Sequence, residues 1–272
     1  MRSNDFSPRW ASPPGETVRF LAAKRNLGSD DVARALDVAP DALPRLFSGE
    51  LPITPDRAKR LVGIVGASER FWLAREAQFR RDVMALQEDN RRWVSSLPLA
   101  DMARYGWMQK ATSTDDKLRQ ALEFFEVSTV DEWSDAWLSD GTGLTAYRTS
   151  PVFKAQAASV AAWLRQGELA AAKLHVRAWS RERFERLLPS LKPLTRVADP
   201  GAFIPRLQQE CASCGVAVVT VRAPTGCPAS GATRVRNGTA ILQLSFRYLR
   251  DDSFWFTFFH EAGHLLLHGD RL

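Results

Sequence analysis

The sequence predicts an α+β protein that is predominantly helical, and three observations carry that expectation. Helical apolar spacing recurs through most of the first 199 residues, with Ser, Thr or Pro at segment starts. A β-branched run and a hairpin signal appear only after Asp199-Pro200-Gly201. A strongly apolar helix, Phe254–His268, follows them and is stopped by Gly269.

The first 13 residues are polar, run into Pro13-Pro14 and read as a loose arm. Five short helices are expected next. Thr17–Arg25 carries Val18, Leu21 and Ala22 at helical spacing. Ser29 is placed to cap Asp30–Asp37, whose first-turn acids suit the helix dipole. Asp41–Phe47 follows the turn Val38-Ala39-Pro40, Thr54 caps Pro55–Val65, and Ser68 opens a helix to about Gln87. The second and third helices have the spacing of a helix-turn-helix, so residues 1–89 are expected to form a five-helix domain of that kind.

Residues 90–199 read as a helical middle domain. Its segments are Asp115–Phe125, Val130–Leu138 with Trp133 and Trp137, a long alanine-rich helix from Ser150-Pro151 to about Leu174, and Arg181–Leu191. Residues 200–272 read as a C-terminal domain with a helix over Phe203–Cys211, a strand over Val216–Val221, and strands Ala232–Val235 and Thr239–Leu244 around the Asn237-Gly238 turn. A small antiparallel sheet followed by the apolar helix is expected.

Composition narrows the function classes. With 45% hydrophobic and 25% charged residues in 272, the chain buries a substantial core and is not broadly disordered. A net charge of +6 is mild and fits both nucleic-acid binders and ordinary enzymes. Three cysteines, Cys211, Cys214 and Cys227, do not make a disulfide framework. There is no apolar signal core at the N-terminus and no apolar run near the ~18 residues of a membrane span. A soluble cytoplasmic protein without a membrane partner is expected.

The apolar helix contains His260-Glu261-Ala262-Gly263-His264. Residues four apart share a helix face, about 6 Å apart along the axis. His260 and His264 can therefore aim two imidazoles at one ion, and Zn²⁺ is the expected occupant. Glu261 would act as general base on a metal-activated water attacking a peptide carbonyl. Two histidines and a glutamate within so apolar a helix are costly to bury unpartnered, which favours a site over core histidines. His268 is too far along the axis to share an ion with His260, Asp270 is a weak candidate, and Cys211/Cys214 read as packing. A third protein ligand is not evident.

These residues carry a resemblance. Leu244-Ser245-Phe246-Arg247, the run Asp251 to Phe259, and His260 to Gly269 resemble the ImmA/IrrE family of zinc metallo-endopeptidases. Ile53 to Leu61 and Glu69 to Leu73 resemble the HigA-like branch of XRE helix-turn-helix regulators, and Ala161 to Glu168 is similar to proteins that fuse the two. Together the resemblance covers most of residues 14–269. It implies His260 and His264 as zinc ligands, Glu261 as the catalytic residue, and a further glutamate ligand roughly 25–30 residues on. The sequence stops at Leu272 before that point, so a truncated or cleaved chain with weak zinc binding and without normal peptidase activity is expected. In the family the substrate is often a transcriptional repressor, cut in a stress, phage or mobile-element response.

The helix-turn-helix points two ways. Arg45 is the one basic residue in the third helix region, where Asp41 and Pro44 are unfavourable for reading DNA. Residues 1–95 hold 16 Lys and Arg against 13 Asp and Glu. Operator binding, as a homodimer helped by Arg2 and Arg9, stands beside a protein-interaction role. The rival to the peptidase is a non-catalytic DNA-binding regulator or antitoxin. Arg80-Arg81 and Arg91-Arg92 read as solvated helix faces, and His175 as a lone histidine.

Overall fold

The computed structural model describes residues 11–138, 151–236, 238–245 and 251–268. The chain divides into two compact units, Met1–Asn90 and Arg91–Leu272. It is predominantly helical, with a small sheet near its C-terminal end, and so has the α+β class expected from the sequence.

The first unit contains α1 (Pro14–Lys24), α2 (Ser29–Leu36), α3 (Leu43–Phe47), α4 (Pro55–Ile64) and most of α5 (Glu69–Ser96). Its core is made of the apolar stripes of these helices, among them Val18, Val32, Leu36, Leu46, Leu61 and Trp72. The Trp72 indole donates to the Gly66 carbonyl at 2.9 Å, so the one polar atom of the largest core side chain is satisfied. The buried Glu76 carboxylate accepts from the Ile53 amide (3.1 Å) and from Arg80 Nε (2.7 Å), and Arg80 Nη2 also donates to the Gly49 carbonyl. Arg80 is thus a tie between α5 and the loop before α4, rather than part of a solvated face.

Local capping differs at one place. Gly28, not Ser29, is the N-cap of α2, and the Asp31 carboxylate accepts from the Gly28 amide at 3.0 Å. Ser29 is drawn into the first turn because Asp31 already supplies the acceptor. Asp37, at φ 54°, ends α2 in the left-handed region. Residues 37–39 make the tight turn, and a 3₁₀ turn at Pro40–Ala42 leads into α3. Thr54 and Ser68 cap α4 and α5 as expected. Helix α5 runs on to Ser96, beyond the expected Gln87, because Trp93, Val94 and Leu97 find a core in the second unit.

The second unit holds α6 (Leu99–Arg104), α7 (Thr114–Phe125), α8 (Val130–Leu138), α9 (Pro151–Ala171), α10 (Arg181–Leu191) and α11 (Pro200–Ala212). Strands β1 (Val216–Thr220), β2 (Gly231–Arg236) and β3 (Thr239–Leu244) and helix α12 (Asp251–His268) follow. The strand order is β1-β3-β2. The β2–β3 pair is the expected antiparallel hairpin, with Gly238 at φ 76°; Asn237 lies outside the described residues. The β1–β3 pair is parallel, so the sheet is mixed rather than antiparallel. The composition explains the arrangement. Val216-Ala217-Val218-Val219 and Ala240-Ile241-Leu242 are apolar on both faces, as two-sided burial requires, whereas Thr233, Arg234 and Arg236 mark β2 as an edge.

Alternate residues of the sheet enter two cores. Ala217, Val219 and Ile241 pack on the α7–α9 side with Trp93, Phe125, Trp133 and Trp163. Val216, Val218, Ala240, Leu242 and Leu244 pack on the other side with α10, α11 and α12. The composition changes near residue 199, but α9 before it and the sheet after it share one core. Gln243, buried beneath α9, donates to the Trp163 carbonyl at 2.6 Å, and a Cβ at Gly167 would run into its carboxamide.

The segment between β1 and β2 is fixed from three directions. Trp163 Nε1 donates to the Val221 carbonyl (2.9 Å), Ser159 Oγ to the Thr225 carbonyl (3.0 Å), and the Thr225 amide to Asp101 Oδ2 (2.6 Å). Burial pushes the Asp101 carboxyl up, but the Thr225 hydrogen bonds and the Arg104 and Arg222 guanidinium groups outweigh it and hold it below its ordinary value. A carboxylate with a depressed folded pKa stabilises above its unfolded pKa, and that contribution fades as pH falls through the folded value. Asp101→Asn should therefore cost about 1–3 kcal/mol at neutral pH. The gap to the parent should close below about pH 4. Urea denaturation at a series of pH values measures it, and a gap that stays constant with pH would exclude the charged interaction as its source.

Candidate active site

Helix α12 lies against β2 and β3, and its spacing decides which way each motif residue faces. Phe254, Trp255, Phe258, Ala262 and Leu265 form the buried stripe. Phe256, His260, His264 and Leu267 fall on the opposite, exposed side. Glu261 sits at the margin, only 9% exposed, and turns toward β2. The cost of burying unpartnered histidines, used above to favour a site, therefore does not apply to His260 or His264; of the three, Glu261 alone is buried.

The two imidazoles converge. His260 Nε2 and His264 Nε2 are 3.1 Å apart, with ring centroids 4.7 Å apart and the planes near perpendicular at 81°. Two Zn–N bonds of about 2.0–2.1 Å meeting at a tetrahedral angle would separate the nitrogens by about 3.3–3.4 Å. The observed spacing is within a few tenths of an ångström of that, so the pair fits two positions of a zinc site. Among the described residues, no group of three or more His, Cys, Asp and Glu side chains is arranged to hold a metal ion. The His268 side chain and Asp270 lie outside the described residues.

Glu261 Oε2 accepts from Thr233 Oγ1 at 3.3 Å. Burial raises the Glu261 pKa above the ordinary value, while His264, His260 and the Thr233 hydroxyl oppose the rise. The carboxylate stands between a hydroxyl on β2 and the histidine pair. A cleft of about 680 Å³ opens beside it, lined by Ser230, Gly231, Phe256, Thr257, His260 and Glu261 among others. Thr233 and Gly231 carry no motif signal; only the hairpin pattern places alternate β2 residues on the α12 face.

On its other face β2 is held by charge. Arg234 Nη2 donates to the Leu164 carbonyl at 2.8 Å, and Arg165, Arg234 and Arg236 each lie 3.1 Å from the Glu168 carboxylate. Burial pulls the Arg234 pKa down to about 10, with Arg236 and Arg165 adding to the effect and Glu168 opposing it.

The remaining sequence candidates lie elsewhere. Cys211 and Cys214 are buried in the core between α11 and the sheet, and burial pushes the Cys211 thiol up, away from the thiolate a metal needs. His175 is exposed. Arg45 on α3 is exposed but has Glu50 at 3.5 Å, so part of its charge is already answered. Arg2 and Arg9 lie outside the described residues.

No family model matches the chain. Among curated proteins, the uncharacterized HTH-type transcriptional regulator YddM of Escherichia coli (strain K12) is 32% identical over 60 residues, which is 22% of this chain and 64% of YddM. The chain spans less than two thirds of that relative's length, and the similarity supports a helix-turn-helix domain. Among the described residues, no helix is long and apolar enough to cross a membrane.

Gly231 is the tightest element of the site. A Cβ there would come within 2.6 Å of Glu261 Cγ and of Thr257 Cγ2. Gly231→Ala should displace the Glu261 side chain and cost about 1–3 kcal/mol by overpacking. Guanidinium unfolding of the metal-free protein reads that cost, and an unchanged midpoint would show that α12 and β2 are not in contact there.

Proposed function

We propose that this chain is a regulatory protein that joins a helix-turn-helix module to a zinc-dependent endopeptidase site acting on a protein partner. A transcriptional repressor is the partner class that the family resemblance implies. The reading rests on one arrangement: a buried, hydrogen-bonded carboxylate beside two convergent histidines, opening into a cleft at the edge of a sheet.

His260 and His264 would hold the zinc, which, when bound, polarises a peptide carbonyl and acidifies a water molecule. Glu261 is the general base. Burial raises its pKa in the metal-free chain. Thr233 fixes the orientation of the carboxylate from β2. Among the described residues β2 pairs only with β3, so its outer edge offers backbone donors and acceptors to an extended peptide.

A zinc titration of the parent should show binding, weak as two protein ligands allow, and His264→Ala should weaken it at least tenfold. Glu261→Gln should retain the metal yet lower cleavage of a protein substrate by at least about a hundredfold. Parent protein that takes up no zinc, or a Glu261→Gln variant that cleaves normally, would overturn the reading.

The similarity to YddM favours a second reading, a DNA-binding transcriptional regulator that does no catalysis. It expects a sequence-specific complex with promoter DNA that weakens as salt rises. Arg45→Ala should weaken that complex by about 1–3 kcal/mol if α3 contacts a base. A gel-shift titration at two salt concentrations measures both, and unchanged binding by Arg45→Ala would remove α3 from DNA recognition.

A further inference from the structure

The cleft beside the histidine pair has a wall that the chemistry of bond cleavage does not require. Phe256 is 73% exposed, although Phe254, Trp255 and Phe258 on the same helix are buried. Its ring lies nearly parallel to that of His260, with centroids 6.1 Å apart and 18° between planes. It therefore stands at the mouth of the cleft and contributes nothing to the core. Gly231 and Ser230 on the β2 side and Thr257 on α12 add no side chain or only short ones to the lining, with Gly231 packed against Glu261 and Thr257. The cleft's carboxylate, Glu261, is turned to Thr233 and flanked by two histidines.

We propose that this cleft receives a bulky apolar or aromatic side chain of an extended peptide, with the exposed ring of Phe256 as the wall that selects it. The proposal rests on the peptide-binding part of the reading above. The strand edge supplies the reason for a peptide occupant. A segment added along β2 places alternate side chains on one face, so one of them is delivered toward α12. An aromatic or large aliphatic group buried there removes apolar surface from water on both partners. An acidic side chain would lose hydration and meet the Glu261 carboxylate. At about 680 Å³ the cleft lies within the size range of small-ligand pockets, about 300–1,000 Å³.

The test uses the full chain and end-blocked hexapeptides of one Ala/Gly frame, labelled for fluorescence anisotropy and differing at one central position: Phe, Leu, Ala, Lys or Asp. Binding is measured with a chelator present and again with zinc. The Phe and Leu peptides should bind about tenfold tighter than the Ala peptide, a difference of about 1.4 kcal/mol, and tighter than the Lys peptide, with the Asp peptide weakest. Phe256→Ala should shrink the Phe/Ala ratio to less than about twofold with thermal unfolding unchanged, and Phe256→Leu should keep most of it. Equal binding of the Phe and Ala peptides, a ratio that survives Phe256→Ala, or no binding at millimolar peptide would overturn the proposal. Peptides bound with this preference but never cut in zinc would support the proposal and count against the peptidase reading alone. Cleavage without preference would count against the proposal alone.

Discussion

The site depends on β3 being a strand that is apolar on both faces and paired on both edges. Its parallel partner β1 and its antiparallel partner β2 form the two edges of the described sheet. Because both faces must be covered, α9 is driven onto one and α11 and α12 onto the other. Gln243, forced inside by this layering, donates its amide to the Trp163 carbonyl. An apolar sheet sandwiched in this way fixes where α12 must lie before any residue of the motif is considered.

The alternation of β2 then divides its work between the layers. Odd-numbered residues, Gly231 and Thr233, meet α12 and set the position and hydrogen bonding of Glu261. Arg234 and Arg236 reach the Glu168 carboxylate on α9 from the other face. The partly buried arginine–glutamate cluster thus anchors the same backbone that carries Thr233. Asp101 does comparable work on the segment that leads into β2, through a contact 124 residues away in sequence.

Much of the architecture was legible because it is local. Periodicity and caps located most helices, and Asn237-Gly238 marked the hairpin. The motif spacing placed His260 and His264 on one face of a helix, with their nitrogens near zinc-bridging distance. What escaped was non-local. The parallel pairing of β1 is decided by burial on both faces. Helix α6, six residues long, carries too little pattern to stand out; its Met102 is fully buried and Asp101 clamps a distant loop. The roles of Gly231 and Thr233 exist only once β2 is laid beside α12. The exposure of the two histidines was also misjudged, because the apolar residues around them in sequence alternate around the helix and leave a solvent-facing side.

An edge strand next to a cleft carries a hazard as well as a use. Its free backbone could pair with the same strand of a second molecule and begin an open-ended ribbon. Here β2 has six residues, begins with a glycine, and ends in the exposed, charged Arg236. Two such strands aligned antiparallel edge to edge would set like-charged guanidinium groups in one short ladder. The short length and charged end of the strand thus discourage self-templating.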